Sequence, residues 1–384
     1  MKIAFICGSL KPGYDGIGDY VYCLAEELAH YGHEVAAIAI NDWYIDKTFR
    51  GTHFENHVKV NVVRIPFSYS NGQRYKDAIA FIQSFKPEWI SIQFGPYSFH
   101  PKGLPLLMAF YLKKLCRRSN VHIMIHETWI EGENIYRKFI SVLQKHLIKH
   151  LLKSIDPKVI HTHIPEYLSR LQALGFITLD LPLFSNIKVR NDARDEFDTS
   201  FFRIGFFSQA GNIKPVLSFL SALGKQLVEK NMPFEVLLIG GAEAKMLHLK
   251  KEIEKIVHFS NKVKYAGFLA PPRLSKLLKS CTIGITPVPR HALGKSGSVS
   301  AFLSHGVPVA APFIHQGYDK NNIGFSSNTL RSAIILEVDF KNIEGARLAA
   351  IAAKKEIEVY AIAKKFLKDI QNSIHVKRKY CYSY

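Results

Sequence analysis

Nowhere does the sequence hold the roughly 18 consecutive apolar residues that read as a membrane-spanning helix. The opening run from Met1 starts as a signal peptide would, but it is cut short at Gly8 and ends like a strand. Cysteine is scarce. The five present, Cys7, Cys23, Cys116, Cys281 and Cys381, are odd in number, scattered and never in a C-x-x-C pair, which argues against a disulfide framework or a zinc site and fits a reducing cytosol. Zinc-finger spacing, an RNP-like aromatic strand and a basic zipper are all missing, so nucleic acid is not an expected partner. Acids are also few: 32 Asp and Glu against 51 Lys and Arg leave a formal charge of +19. Such an excess attracts anionic membranes or phosphorylated small molecules as readily as nucleic acid, and charge alone does not choose among them.

At 384 residues the chain exceeds what one hydrophobic core usually fills, and a domain size of about 100–200 residues favours two domains. With 47% hydrophobic and 22% charged residues, it is expected to fold throughout. Ile3–Cys7 is a short apolar run followed by a glycine-bearing loop, Gly8 to Gly18, and a helical pattern through Tyr20–Tyr31. Gly32 stops that helix, and Glu34–Ile40 reads as the next strand of a βαβ unit. Further strands are expected at Val60–Ile65, Trp89–Phe94, Val121–Ile125 and Val159–Thr162. Polar, aperiodic residues 188–200 read as a linker. The alternation then restarts with strands at Phe202–Phe207, Glu235–Ile239 and Thr282–Pro287 and a helix at Pro215–Glu229. The expected organisation is a Rossmann-like domain over 1–187, the linker 188–200, a second Rossmann-like domain over 201–344, and a helical segment with a basic tail over 345–384. Ligands of such sheets bind at the carboxyl ends of the strands, which two facing sheets would place across a common cleft.

The segment DGIGDYVYCLAEELAHYGHEV, Asp15 to Val35, resembles the glycine loop and first helix of the retaining family 4 glycosyltransferases of the GT-B fold. The second half is similar to the same family at the Lys214 loop, at Leu238–Gly241, at Val263–Gly267, at the strand ending Thr286-Pro287, and from Ala301 to Pro308 leading into Gly306–Val309. This ordered correspondence covers most of the chain. The resemblance implies an α/β GT-B enzyme that moves a sugar, with retention, from a nucleotide-sugar donor on the second domain to a saccharide or lipid-linked acceptor on the first. It further implies a role in surface polysaccharide or glycoconjugate synthesis, with no cofactor and no dedicated metal, because the leaving diphosphate takes the acceptor proton while cations and dipoles stabilise its charge.

Glycines at Gly16 and Gly18 would let the backbone take positive φ and approach a ligand, with the N–H groups of the following helix favouring an anion. The same loop also suits a tight turn with no ligand. A dinucleotide-cofactor loop fits less well, since Gly16-Ile17-Gly18 comes late after the strand and the third glycine is not in place. Lys214 follows the first strand of the second domain, where the family keeps a lysine on the donor diphosphate, and Ser208 opens the same loop. In Gly294–Ser298, Lys295, the hydroxyls of Ser296 and Ser298 and the backbone at Gly297 form a candidate phosphate cradle, or else the cap of an ordinary helix. His126 and Glu127 end a strand where the family sets a histidine near the transferred sugar; His126 could hydrogen-bond the sugar or an acceptor hydroxyl, with Glu127 orienting it or the acceptor, or else be a strand-end histidine satisfied by backbone. His161 and His163 lack metal-like partners in the sequence and read as structural.

Two features depart from the family. Its paired glutamates fall on Leu293 and Ala301, and the arginine that precedes its diphosphate lysine is absent from Ser208–Ile213, with Pro215 in place of a glycine. A non-catalytic GT-B-like binding or assembly protein is therefore the competing expectation. The segment Ile135–Ile155 carries Lys138, Lys145, Lys149 and Lys153 on one face and Phe139, Leu143, Leu147 and Leu151 on another, with no acid. That spacing suits an anionic membrane surface, or else a solvated face over an apolar, core-facing stripe; with Tyr111, Lys113, Lys114, Arg117 and Arg118 added, the expected place is the cytoplasm with peripheral contact at the inner face of the membrane.

Overall fold

The computed structural model describes residues 1–55, 58–132, 134–190, 201–208 and 211–380, so that most of the expected linker and the end of the basic tail lie outside the described residues. The chain divides into two compact units, one built from residues 1–163, 167–181 and 359 onward, the other from 164–166 and 182–358.

The strands of the first unit are β1 (Lys2–Cys7), β2 (Glu34–Asp42), β3 (Phe49–Glu55), β4 (Val58–Pro66), β5 (Trp89–Phe94), β6 (Asn120–Ile125), β7 (Val159–Thr162) and β8 (Leu179–Asp180). They form one sheet in the order β3-β4-β2-β1-β5-β6-β7-β8. All pairings are parallel except that of β3 on β4. Continuous apolar strands follow from helices covering both faces, and every residue of β5 is buried. The chain builds outward from β1 through β2 and then crosses to β5 on the other side, so the topological switch lies between β1 and β5. Sequence patterning missed β3, a polar edge strand without a hydrophobic face.

The second unit holds β9 (Phe202–Phe206), β10 (Phe234–Ile239), β11 (Val263–Gly267), β12 (Ile283–Ile285), β13 (Val309–Ala310) and β14 (Ile334–Ile335). Their order is β11-β10-β9-β12-β13-β14, wholly parallel, with the switch between β9 and β12. Gly205 and Gly284 sit on these two central strands. A Cβ there would come within 2.9 Å and 2.5 Å of the Phe302 ring. The bare backbone thus lets the helix Gly297–Ser304, which bears Phe302, lie close on the sheet.

The end of the chain divides differently from the expected segment 345–384. Gly345 lies inside the helix Phe340–Ile357 of the second unit, the chain turns extended at Glu358, and the helix Val359–Tyr380 belongs to the first unit. Ile362, Ala363, Phe366 and Ile370 form its buried stripe, and the Phe366 ring lies 6.1 Å from Phe5 and 4.9 Å from His122. Burying one such phenylalanine contributes about 1.5–3 kcal/mol, ample reason for the helix to dock there. In the helix Ile135–Ile155 the buried stripe runs through Ile140, Gln144, Ile148, Leu151, Leu152 and Ile155. Phe139 stands 60% exposed, outside the apolar face assigned to it from the sequence.

Candidate functional site

In the second unit the loops after β9 and β12 meet at the switch, where a Cβ on Gly211 would lie 3.7 Å from the Pro287 side chain. Ser208 opens the first of these loops, and Lys214 is the first residue of the helix Lys214–Glu229. Among the described residues no side chain caps that helix, since the cap position is Ile213, and Pro215 leaves one fewer N–H to satisfy. Lys214 is exposed at this electropositive start.

Lys295 ends the turn Arg290–Lys295, and Ser296 caps the helix Gly297–Ser304 by accepting from the Val299 N–H at 3.4 Å. Its hydroxyl also lies 3.1 Å from that of Ser298. The capping expected as the ordinary reading of this loop is therefore present, with Lys295 half-buried and Gly297 exposed beside it. Sequence reasoning missed the residue that fixes the turn. Arg290, 7% exposed, donates to the carbonyls of Ala311, Lys320 and Leu336, each at 2.8 Å. Its one signal was a lone arginine after an apolar strand. Leu293 and Ala301, where the resembling family has glutamates, are both fully buried among Val299, Phe302 and Leu303.

The first unit corrects the expectation for Gly16 and Gly18. Neither takes positive φ; both lie in the first turn of the helix Gly16–His30, and Gly13, at φ 75°, makes the turn instead. Gly18 is needed for close approach, since a Cβ would fall 2.5 Å from the Ser9 carbonyl oxygen, whereas Gly16 faces open space. Nor are the helix N–H groups all open to an anion. Asp15 accepts from Ile17 at 2.9 Å and from Gly18 at 3.2 Å, so the chain supplies its own carboxylate. Burial raises the Asp15 pKa, and those two N–H groups oppose the rise. Beside it, Asp42 accepts from Leu10, Tyr44 and Arg64. Burial would raise the Asp42 pKa too, but the Arg64 bonds and the two backbone donors hold it below the ordinary value.

His126, expected to face an acceptor, has no nitrogen left for one. Its Nε2 lies 2.9 Å from Gln93 Oε1 and its Nδ1 2.9 Å from His163 Nε2. Burial, then the neighbouring His163 imidazole, holds its pKa well below the usual range. This is a correction with a simple cause. β5, β6 and β7 are adjacent, so polar side chains on one face of the sheet, at the same level or the next along the strands, pair with each other. Glu127 follows at the same strand end, half-buried. Gly16, Gly18, His126 and Glu127 thus belong to the first unit, and Ser208, Lys214 and Lys295–Ser298 to the second.

No protein-family model and no curated protein sequence matches the chain. Solved structures do. HepE from Anabaena, in complex with UDP, is 13% identical with a TM-score of 0.62, over 97% of this chain and 100% of its own. A trehalose-6-phosphate protein from E. coli bound with UDP-2-fluoro glucose is 10% identical, TM-score 0.61, over 96% and 98%. WaaG, a glycosyltransferase involved in lipopolysaccharide biosynthesis, is 12% identical, TM-score 0.53, over 94% and 98%. The chain therefore has the fold of the GT-B glycosyltransferases, two Rossmann-like domains, along almost its whole length.

Proposed function

We propose that the protein transfers a hexosyl or related sugar, with retention, from a nucleotide-sugar donor to a saccharide or lipid-linked acceptor in surface polysaccharide or glycoconjugate synthesis. The observation that carries this is the full-length likeness to structures holding UDP and UDP-2-fluoro glucose, joined to two cations at the carboxyl edge of the second sheet. Lys214, at an uncapped helix start, and Lys295, on the turn braced by Arg290, hold the donor diphosphate and stabilise its developing charge. Ser208 and the Ser296–Ser298 backbone complete the grip without a metal or cofactor. Acceptor binding falls to the first unit, with Glu127 as its polar side chain and His126 as a group that positions the strand end from behind. Incubating the protein with labelled UDP-sugars and oligosaccharide or lipid-linked acceptors tests the reading. Transfer with an α product from an α donor supports it, and nucleotide binding without turnover on any acceptor overturns it in favour of a binding protein. That second reading draws on Leu293 and Ala301, fully buried apolar residues where the resembling family has glutamates.

Peripheral contact with the cytoplasmic face of an anionic membrane belongs to the same proposal. It is supported by apolar side chains that two adjoining segments of the first unit leave outside: Leu106, Leu107 and Phe110 on one, Ile135, Tyr136 and Phe139 on the other, all more than half exposed. Exposed Lys113, Lys114, Lys138 and Lys145 surround them. Apolar residues that insert and cations that meet headgroups are what an interfacial site needs.

A further inference from the structure

A row of buried polar groups crosses the first unit from the carboxyl edge of its sheet to the terminal helix. The Leu181 carbonyl, His163, His126, Gln93, Ser91, His122, His161 and the Asp369 carboxylate are joined end to end by seven hydrogen-bonding contacts of 2.9, 2.9, 2.9, 2.7, 2.8, 3.0 and 3.1 Å. All the side chains between the two ends are buried, none more than 8% exposed.

Each contact needs one proton between its two heavy atoms. The two ends, a carbonyl and an ionised carboxylate, can only accept. A neutral imidazole, an amide or a hydroxyl supplies at most one proton along such a row, whichever tautomer or amide orientation it takes. The four histidines, Gln93 and Ser91 together therefore supply one proton fewer than the contacts require. With every histidine neutral, some pair of lone pairs would face each other in the interior without a hydrogen, the arrangement that buried polar groups avoid.

We propose that this row is a proton-binding site that retains one proton beyond its neutral complement, forming an internal ion pair with Asp369 that latches the terminal helix to the sheet. Asp369 and Lys365 are the charged pair at the terminal-helix end of the row, with the lysine 3.3 Å from the same carboxylate oxygen that His161 meets. Tyr20 meets His126 and His163 edge-on, and Phe366 meets His122. The proton belongs to the row as a coupled unit rather than to one imidazole.

Two opposite pH limbs follow. Burial holds the pKa values of His122, His126 and His161 below the usual range, so below about pH 6.5 the unfolded chain takes up protons that the folded row has no room for, and stability falls as pH falls. Above about pH 6.5 the sign reverses. There the folded row keeps a proton that the unfolded histidines have lost, and stability falls as pH rises, by up to tenfold in the folding equilibrium constant per pH unit for a one-proton difference.

The test is Asp369→Asn in the full chain. An asparagine amide can donate as well as accept, so it supplies the missing proton and fills every contact without charge. All three tryptophans, Trp43, Trp89 and Trp129, lie in the first unit, so their fluorescence during urea unfolding reports on this unit. Between pH 6.5 and 9 the folding constant of the unaltered protein should fall more steeply than that of Asp369→Asn, by several-fold and up to tenfold per unit. Equal slopes overturn the proposal. Selective ¹⁵N labelling of histidine gives a second reading that needs only the unaltered protein: at pH 8 one imidazole of the row should still be charged, and four neutral ones would overturn the proposal even if the variant does not fold.

Discussion

Lys214 was singled out in the sequence by its position and the family resemblance, Lys295 by its glycine- and serine-bearing loop before a helix, and the structure gives each a physical setting. One stands exposed on an uncapped helix start, and the other ends a turn held by three hydrogen bonds from Arg290. Replacing either by alanine should lower sugar transfer by roughly 10- to 1,000-fold, the usual loss for one contact to developing charge, with circular dichroism unchanged. Steady-state rates measure this, and unchanged rates in both variants would remove the diphosphate grip from these residues. His126 shows the limit of reading single residues. Its place at a strand end was legible, but whether its nitrogens face outward or inward depended on Gln93 and His163, which are 33 and 37 residues away. Gly16 and Gly18 make the same point, since glycine permits a positive φ without requiring one.

At the scale of elements, buried parallel strands announce themselves because both faces are apolar, and the helix Ile135–Ile155 was legible to its ends. Short or polar strands were not: β3, β8, β13 and β14 have too few residues or too little apolar character to be seen without their neighbours. The exposed face of Ile135–Ile155 carries a prediction of its own. The protein should sediment with vesicles of phosphatidylglycerol but not with vesicles of phosphatidylcholine alone, and about 0.5 M salt should release much of it, because screening shortens the field of the lysines. Replacing both Phe110 and Phe139 by serine should weaken that sedimentation about a hundredfold or more, given some 1.5–3 kcal/mol per inserted phenylalanine. Equal binding to both vesicle types would leave only a solvated basic helix.

On the scale of the whole molecule, the donor grip is unbalanced. Leu293 and Ala301 are fully buried and have no side-chain acceptor for a ribose, while two lysines and an uncapped helix start favour phosphate. A nucleoside diphosphate should therefore bind far better than its monophosphate. Removing ribose hydroxyls should cost less than about 1 kcal/mol, against the 1–3 kcal/mol expected where a buried partner is left unpaired. Calorimetric titration with ribo- and deoxyribonucleoside diphosphates decides this, and a large deoxy penalty would mean that another residue has taken the glutamate's place. The sequence by itself determined the two α/β halves, the post-strand loops that lead to Lys214 and Lys295, and the strand end at His126, because periodicity and glycine punctuation are local properties of the chain. Only the tertiary structure decided that the last helix completes the first unit and that His126 joins a row ending at Asp369. Those outcomes depend on which groups meet across 33 to 208 residues of chain, and such meetings are fixed by burial and hydrogen-bond satisfaction rather than by local pattern.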